Sequence, residues 1–92
     1  MIKLKLRNQF KRDYKKAKKR GLKEEDLIVV VKQLQARKPL PEKYKDHALK
    51  DSKFYKGMRE CHINPDWLLI YFYNENQLTL ELIRTGTHSD LF

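Results

Sequence analysis

Three histidines, His47, His62 and His88, all fall in the second half of this chain, each inside a polar, turn-rich stretch. The stretches read Asp46-His47, then Cys61-His62-Ile63-Asn64-Pro65-Asp66-Trp67, then Arg84-Thr85-Gly86-Thr87-His88. Imidazole is the side chain whose unperturbed pKa lies nearest neutrality, so it can both take and give a proton there. RNA carries its own nucleophile, the 2′-hydroxyl. A protein that cleaves RNA without a metal must deprotonate that hydroxyl, stabilise charge on the phosphate and protonate the departing 5′-oxygen. Imidazole suits both proton transfers. Arginine suits the phosphate, because its planar fork donates two hydrogen bonds and stays charged. Carboxylates beside a histidine fix its tautomer, and aromatic rings stack on splayed bases. The chain offers His47, His62, His88 and Arg84, with Asp46, Asp66, Trp67 and Phe92 nearby in sequence.

Taken singly, each residue has a plainer explanation. Asp46 and Asp66 can be turn residues. His47 can be an ordinary surface histidine, Trp67 a rim aromatic, and Phe92 is the last residue, where fraying is common. Other site types fit less well. Three histidines and an aspartate could bind zinc, yet none has the close spacing of a preformed pair. Gly21, Gly57 and Gly86 are isolated and form no phosphate loop. No carboxylate cluster is dense enough for paired magnesium ions, so no cofactor is expected.

The elements that must position these groups follow from patterning. Residues 2–6 alternate Ile2, Leu4 and Leu6 against Lys3 and Lys5, the period of a half-buried strand. Phe10, Tyr14 and Ala17 are spaced along one face of a helix that Asn8 would cap and Gly21 would stop. Glu24, Glu25 and Asp26 open a second helix where its dipole favours acids. Leu27, Val30, Val31 and Leu34 form its stripe, continuing to Arg37 before Pro39 and Pro41. Residues 38–56 read as a long connection. Met58–Ile63, Leu68–Tyr73 and Leu78–Ile83 read as strands joined by hairpins at Asn64-Pro65-Asp66 and Asn74-Glu75-Asn76. The expected architecture is α+β: an N-terminal strand, two helices, then antiparallel strands, with both helices on one face of a small antiparallel sheet and the other face open. His62 projects from the open face, since Cys61 and Ile63 take the core side. Strict alternation puts Arg84 on the side of Leu78, Leu80 and Leu82, unless a bulge or twist redirects it.

Ninety-two residues make one domain, 1–92. Forty per cent hydrophobic residues suffice for a globule. Net charge is +9, and Lys3 to Lys23 hold eleven bases against one acid, Asp13. Such a field draws polyanions, nucleic acid first and an acidic protein second. One cysteine, Cys61, allows no internal disulfide. No segment is apolar enough to span a bilayer, and Met1–Leu6 is too short and charged for a signal peptide. A reducing cytoplasm is expected, with no membrane partner.

The ordered set Asp46-His47-Ala48-Leu49, Arg59-Glu60-Cys61-His62-Ile63-Asn64-Pro65-Asp66-Trp67-Leu68-Leu69-Ile70-Tyr71 and Arg84-Thr85-Gly86-Thr87-His88-Ser89-Asp90-Leu91-Phe92 resembles the YafQ branch of the RelE/ParE toxin superfamily. That resemblance covers nearly the whole chain. It implies a toxin of a bacterial type II toxin–antitoxin pair, an endoribonuclease cutting mRNA, typically on the ribosome, by 2′-hydroxyl attack without metal. It implies catalytic roles for His47, His62, Asp66 and His88, with Arg84 on the phosphate. The resemblance does not assign base and acid; our own assignment is His47 or Asp66 assisting deprotonation and His88 protonating the leaving oxygen. Trp67 and Phe92 would shape the base pocket. Lys11, Arg12, Lys15, Lys16, Lys18, Lys19 and Arg20 would hold RNA phosphates. The implied partners are mRNA, the ribosome and a cognate antitoxin, an acidic segment covering this surface or the open sheet face. The rivals are a non-catalytic RNA- or ribosome-binding module and a gyrase inhibitor of the ParE branch.

Overall fold

The computed structural model describes residues 1–92. Strand β1, Lys3–Leu6, leads into helix α1, Asn8–Lys19, and helix α2, Glu24–Gln35. A short 3₁₀ turn, Glu42–Tyr44, precedes β2, His47–Ala48. Strands β3, Arg59–Asn64, β4, Trp67–Asn74, and β5, Thr79–Gly86, follow, and a last turn of helix, α3, His88–Leu91, ends the chain. The five strands form one sheet in the order β1-β5-β4-β3-β2.

The α+β architecture is as expected, with one correction to the sheet. β1 runs parallel to β5 and the remaining pairs are antiparallel, so the sheet is mixed. The reason is topological. The two helices carry the chain from β1 at one edge of the sheet to β2 at the other, and three antiparallel steps then bring β5 back beside β1 in the same direction. The connection at 38–56 is also more ordered than its composition suggests, since it holds the 3₁₀ turn and β2.

Both helices stop by the same backbone device. After α1, Gly21 takes φ +107°, its N–H bonds Lys18 O at 3.2 Å, and Leu22 N–H bonds Ala17 O at 3.0 Å. This closing pattern ties off the last carbonyls and drops Leu22 into the core. After α2, Arg37 does the same at φ +55°, ending the helix two residues before the expected position. At the start of α1 the cap position is Arg7 rather than Asn8, with no side-chain cap bond.

Helix and sheet meet in one core. Phe10, Ala17, Leu22, Leu27, Val30, Val31 and Leu34 pack on Cys61, Ile63, Leu69, Tyr71, Leu80 and Leu82. Burying a side chain of this size stabilises the fold by roughly 1.5–3 kcal/mol. The opposite face is only partly open. Tyr55 and Leu91 settle on Leu68 and Ile70 as a second, smaller core, flanked by Leu49, Met58 and Ile83. Residues 49–58 and α3 therefore cover half of the expected open face. What stays accessible lies along β2 and β3.

Arg84 resolves by the bulge that strict alternation lacked. Tyr71 faces Leu82 but Ile70 faces Arg84, so Ile83 is an extra residue on β5. Leu80 and Leu82 point into the helix-side core, whereas Arg84 stands beside Ile70 on the other face. A one-residue bulge reverses the facing of everything beyond it.

Candidate active site

Register places the chemistry in two rows across one face of the sheet. One row runs His47, Glu60, Ile70, Arg84 and the next His62, Leu68, Gly86. Neighbouring strands lie about 4.8 Å apart, so roughly 10 Å separates His62 from Gly86 along its row. His88 opens α3 two residues beyond Gly86. The three histidines and Arg84 thus border one stretch of this face, the trough, where Tyr55 and Leu91 cover Leu68 and Ile70.

The first wall is built on β2 and β3. Two residues suffice for β2 because it need only set His47 opposite Glu60. Glu60 is 5% exposed, yet its carboxylate has two imidazoles around it. Its Oε1 lies 3.6 Å from His47 Nε2 and 3.9 Å from His62 Nε2, within ion-pair range and beyond a hydrogen bond. His47 Nδ1 sits 2.8 Å from Lys45 O. A carbonyl only accepts, so Nδ1 carries the hydrogen and Nε2 is the basic nitrogen. A proton taken by His47 therefore lands on the atom that faces Glu60. Cys61 turns into the core as expected, where burial and nearby carboxylates raise its thiol well above the ordinary range.

The expected carboxylate partner, Asp46, is engaged elsewhere. Arg59 donates to it at 2.7 Å and Tyr71 Oη donates to its other oxygen. Burial first, and then the bond to Asp46, push the Tyr71 phenol upward. Asp66 lies exposed in the β3–β4 turn. Asn64 Oδ1 accepts from the backbone N–H of Asp66 and of Trp67, both at 3.1 Å, and the Asp66 carboxylate takes no bond from the protein.

The second wall is tied across the layers. Arg84 Nε donates to Asp13 Oδ2 at 2.7 Å and Nη2 to Asp13 Oδ1 at 3.1 Å. Asp13 comes from α1 and is 9% exposed. Burial alone would raise its carboxyl, but the bonds from Arg84, Gln9 and the Thr85 N–H together hold it below the usual range. The same pair raises the Arg84 guanidinium. In α3, Thr87 Oγ1 accepts from Asp90 N–H at 3.3 Å while Asp90 Oδ2 accepts from Thr87 N–H at 2.9 Å, a capping box. Arg20 clamps that carboxylate at 2.9 Å. Gly86 permits the turn, because a Cβ there would meet Asp90 at 3.0 Å. His88 lies against Phe92, ring centroids 5.0 Å apart, and Phe92 meets Tyr55 edge-on at 5.6 Å. The C-terminal residue is held in place rather than frayed.

Trp67 does not join Phe92. It packs toward the helix-side core with the Arg20 guanidinium 5.1 Å above its ring, beside a cavity of about 200 Å³ lined by Asp13, Lys16, Arg84 and Asp90. Lys11, Arg12, Lys15, Lys18 and Lys19 point to solvent from α1, on the helix side of the sheet. Lys16 and Arg20 alone of that set border the Arg84 cavity. Exposed Lys43 and Lys45 lie at the 3₁₀ turn, whose Tyr44 packs against the helix-side core, and exposed Lys50, Lys53 and Lys56 lie on the covering segment. Sequence reading missed Glu60, Asp13, Tyr55, Asp90 and these lysines. Glu60 could have been found, since it shares His62's parity on β3. Asp13 was visible only as the lone acid among eleven bases. No group of three or more histidine, cysteine or carboxylate side chains is arranged to hold a metal ion.

A family described as "Bacterial toxin of type II toxin-antitoxin system, YafQ" matches residues 2–92. The chain is 44% identical over 85 residues to the mRNA interferase toxin YafQ of Escherichia coli B/BL21-DE3, covering 91% of this chain and 88% of that protein. Among solved structures it is similar to a metal-bound toxin from Helicobacter pylori, with TM-score 0.91, 41% identity and full coverage of both chains. It is also similar to YafQ in the E. coli DinJ–YafQ complex, with TM-score 0.85, 39% identity, and 100% of this chain and 99% of that one covered.

Proposed function

This chain belongs to the YafQ family of bacterial type II toxins, and we propose that it is an mRNA interferase, an endoribonuclease that cuts mRNA on the ribosome and is restrained by a cognate antitoxin. The observation that carries the reading is the trough itself: two imidazoles around one buried carboxylate on one side, a guanidinium and a third imidazole on the other, on a single face. The RNA backbone would cross this face over residues 49–58 and α3, whose Tyr55 and Leu91 cover Leu68 and Ile70.

His47 Nε2, with His62 beside it, takes the proton of the 2′-hydroxyl. The 2′-oxygen attacks phosphorus, the bond from phosphorus to the 5′-oxygen breaks, and His88 delivers a proton to that oxygen. The products are a 2′,3′-cyclic phosphate and a 5′-hydroxyl. Arg84 faces the charge that builds on the non-bridging oxygens. Asp66, with its free carboxylate in the exposed turn, is the remaining acceptor at the rim and assists the base side. Phe92 offers a surface for a base. Trp67 and Arg20 would meet the RNA only at the far edge of β5. The exposed lysines on α1 and on residues 43–56 hold phosphates of mRNA and ribosome. Action on ribosome-bound message places the protein in the bacterial cytoplasm, and no helix is long and apolar enough to cross a membrane.

The test is cleavage, in EDTA, of mRNA on translating ribosomes, alongside the same message carrying one 2′-deoxy sugar at the cut. Cutting of the first and not the second is expected. Cutting of both removes the 2′-hydroxyl from the mechanism. Cutting of neither leaves a binding module, or a gyrase inhibitor that a supercoiling assay would detect.

A further inference from the structure

We propose that Asp13 is a positioning residue for Arg84, a carboxylate sent from the helix layer to aim the guanidinium at the scissile phosphate. The inference rests on the reading that Arg84 contacts that phosphate. β1 pairs with β5 only from Thr79 to Leu82, and β5 continues to Gly86 paired with β4 alone. Beyond Leu6 the sheet edge is therefore notched, and α1 packs across β5 there. Asp13 reaches into this notch from a helix whose other charged residues are all basic. Its two oxygens take Nε and Nη2 of Arg84 at 2.7 and 3.1 Å, and Oδ2 also accepts the Thr85 N–H at 3.2 Å. One carboxylate thus fixes both the side chain and the backbone next to it. Gln9 Nε2 donates to Oδ1 at 2.9 Å and holds the carboxylate's own rotamer.

The geometry leaves a specific part of Arg84 free. A guanidinium has five N–H donors. Asp13 occupies the side that carries Nε, and Tyr55 Oη stands 3.4 Å from Nη1. Two N–H groups remain, one on Nη1 and one on Nη2, and they can grip a phosphate as a fork. An arginine without this anchor would still be cationic but would sample many rotamers. Lys16 and Arg20 share the cavity without touching Asp13, so neither can replace the aim.

The test uses the full chain and RNA with a single phosphorothioate at the cut, as separated Rp and Sp forms. Sulfur in place of one non-bridging oxygen weakens whichever hydrogen bond the guanidinium makes there. Wild type should favour one diastereomer, and Arg84→Lys should collapse that ratio. Asp13→Asn should also collapse it and lower kcat by about 10- to 100-fold, the scale of a small misplacement, with KM little changed. Asp13→Glu keeps the charge but shifts the fork by one methylene, serves if Asp13→Asn folds poorly, and should also lower the ratio. A wild-type ratio near one, or one unchanged in Arg84→Lys, removes Arg84 from the phosphate and the underlying reading with it. A ratio lost in Arg84→Lys but kept in folded Asp13→Asn and Asp13→Glu makes Asp13 a structural ion-pair partner and overturns the proposal.

Discussion

The two walls of the trough are built on opposite terms. On the β2–β3 side, His47, Glu60 and His62 face one another at 3.6 and 3.9 Å without a direct hydrogen bond among them. On the β5–α3 side, Arg84, Asp13, Thr85, Thr87, Asp90 and Arg20 are joined by direct bonds of 2.7 to 3.3 Å. Loose contacts suit groups that must exchange protons, because a fully bonded imidazole has no lone pair to offer. Tight contacts suit a cation that must meet charge in the transition state without reorganising. His88 belongs to the second wall by position and to the first by chemistry. Its helix, α3, is locked by the capping box, yet the ring itself stacks only on Phe92.

Replacing His88 should therefore have the largest effect on cleavage and almost none on the scaffold. His88→Ala should slow single-turnover cleavage by roughly 100-fold or more, the scale of losing a general acid, with RNA affinity nearly unchanged. Unchanged cleavage would take the leaving-group proton away from His88 and from this wall.

Glu60→Gln probes the loose wall next. The amide keeps the shape between the two histidines and removes the charge they face. A fall in kcat of about 10-fold is expected, below the 100-fold scale of a lost acid or base because both imidazoles remain. Melting temperature should hold, since no direct hydrogen bond to a histidine is broken. A large drop in melting temperature with intact kcat would make Glu60 a packing group.

Acid should loosen the tight wall. Asp13 and Asp90 both sit below the ordinary carboxylate range when folded. A carboxyl with a depressed folded pKa binds its proton more readily in the unfolded chain. Its contribution is therefore complete above about pH 4–5 and lost as pH falls toward the folded value. Asp13→Asn should cost about 1.5–3 kcal/mol near neutrality, as expected for bonds to a charged partner. For a domain of this size each kcal/mol lowers Tm by roughly 4–8 °C. The gap between wild type and variant should narrow on titration from pH 6 to pH 3. A constant gap would show that the Asp13 charge is not the source.

This contrast also explains what could be read from the residues and what could not. β1, α1, α2 and three meander strands are written in apolar periodicity, so Leu4, Phe10, Val30 and Leu80 announce their elements. The side of His62 follows from Cys61 and Ile63 being buried next to it. Parity fails at Ile83 because a bulge is a property of the pairing with Ile70 and Tyr71, not of the β5 sequence. Asp13 and Arg84 are 71 positions apart, and only the packing of α1 on β5 brings them together. β2 is two residues long, too short for any period to show. The resemblance puts Trp67 and Phe92 in one base pocket, but the first faces the helices and the second the small core.

The smallest expected effect separates the two sets of lysines. The α1 set, Lys11, Arg12, Lys15, Lys18 and Lys19, faces away from the trough, while Lys50, Lys53 and Lys56 sit on the segment that covers it. Each phosphate contact to a single strand contributes about −0.7 to the slope of log affinity against log salt. Lys50→Gln with Lys53→Gln should flatten the slope for a short free RNA by up to about 1.4, one contact per lysine. Lys15→Gln with Lys19→Gln should leave that slope alone and flatten the one measured on whole ribosomes, because a short strand in the trough cannot reach α1 while ribosomal RNA can. Equal effects of both pairs on the short RNA would mean that the strand wraps over the notched edge of β5 onto the helix layer, past Arg20 and Trp67. The trough would then be only the middle of a longer binding path.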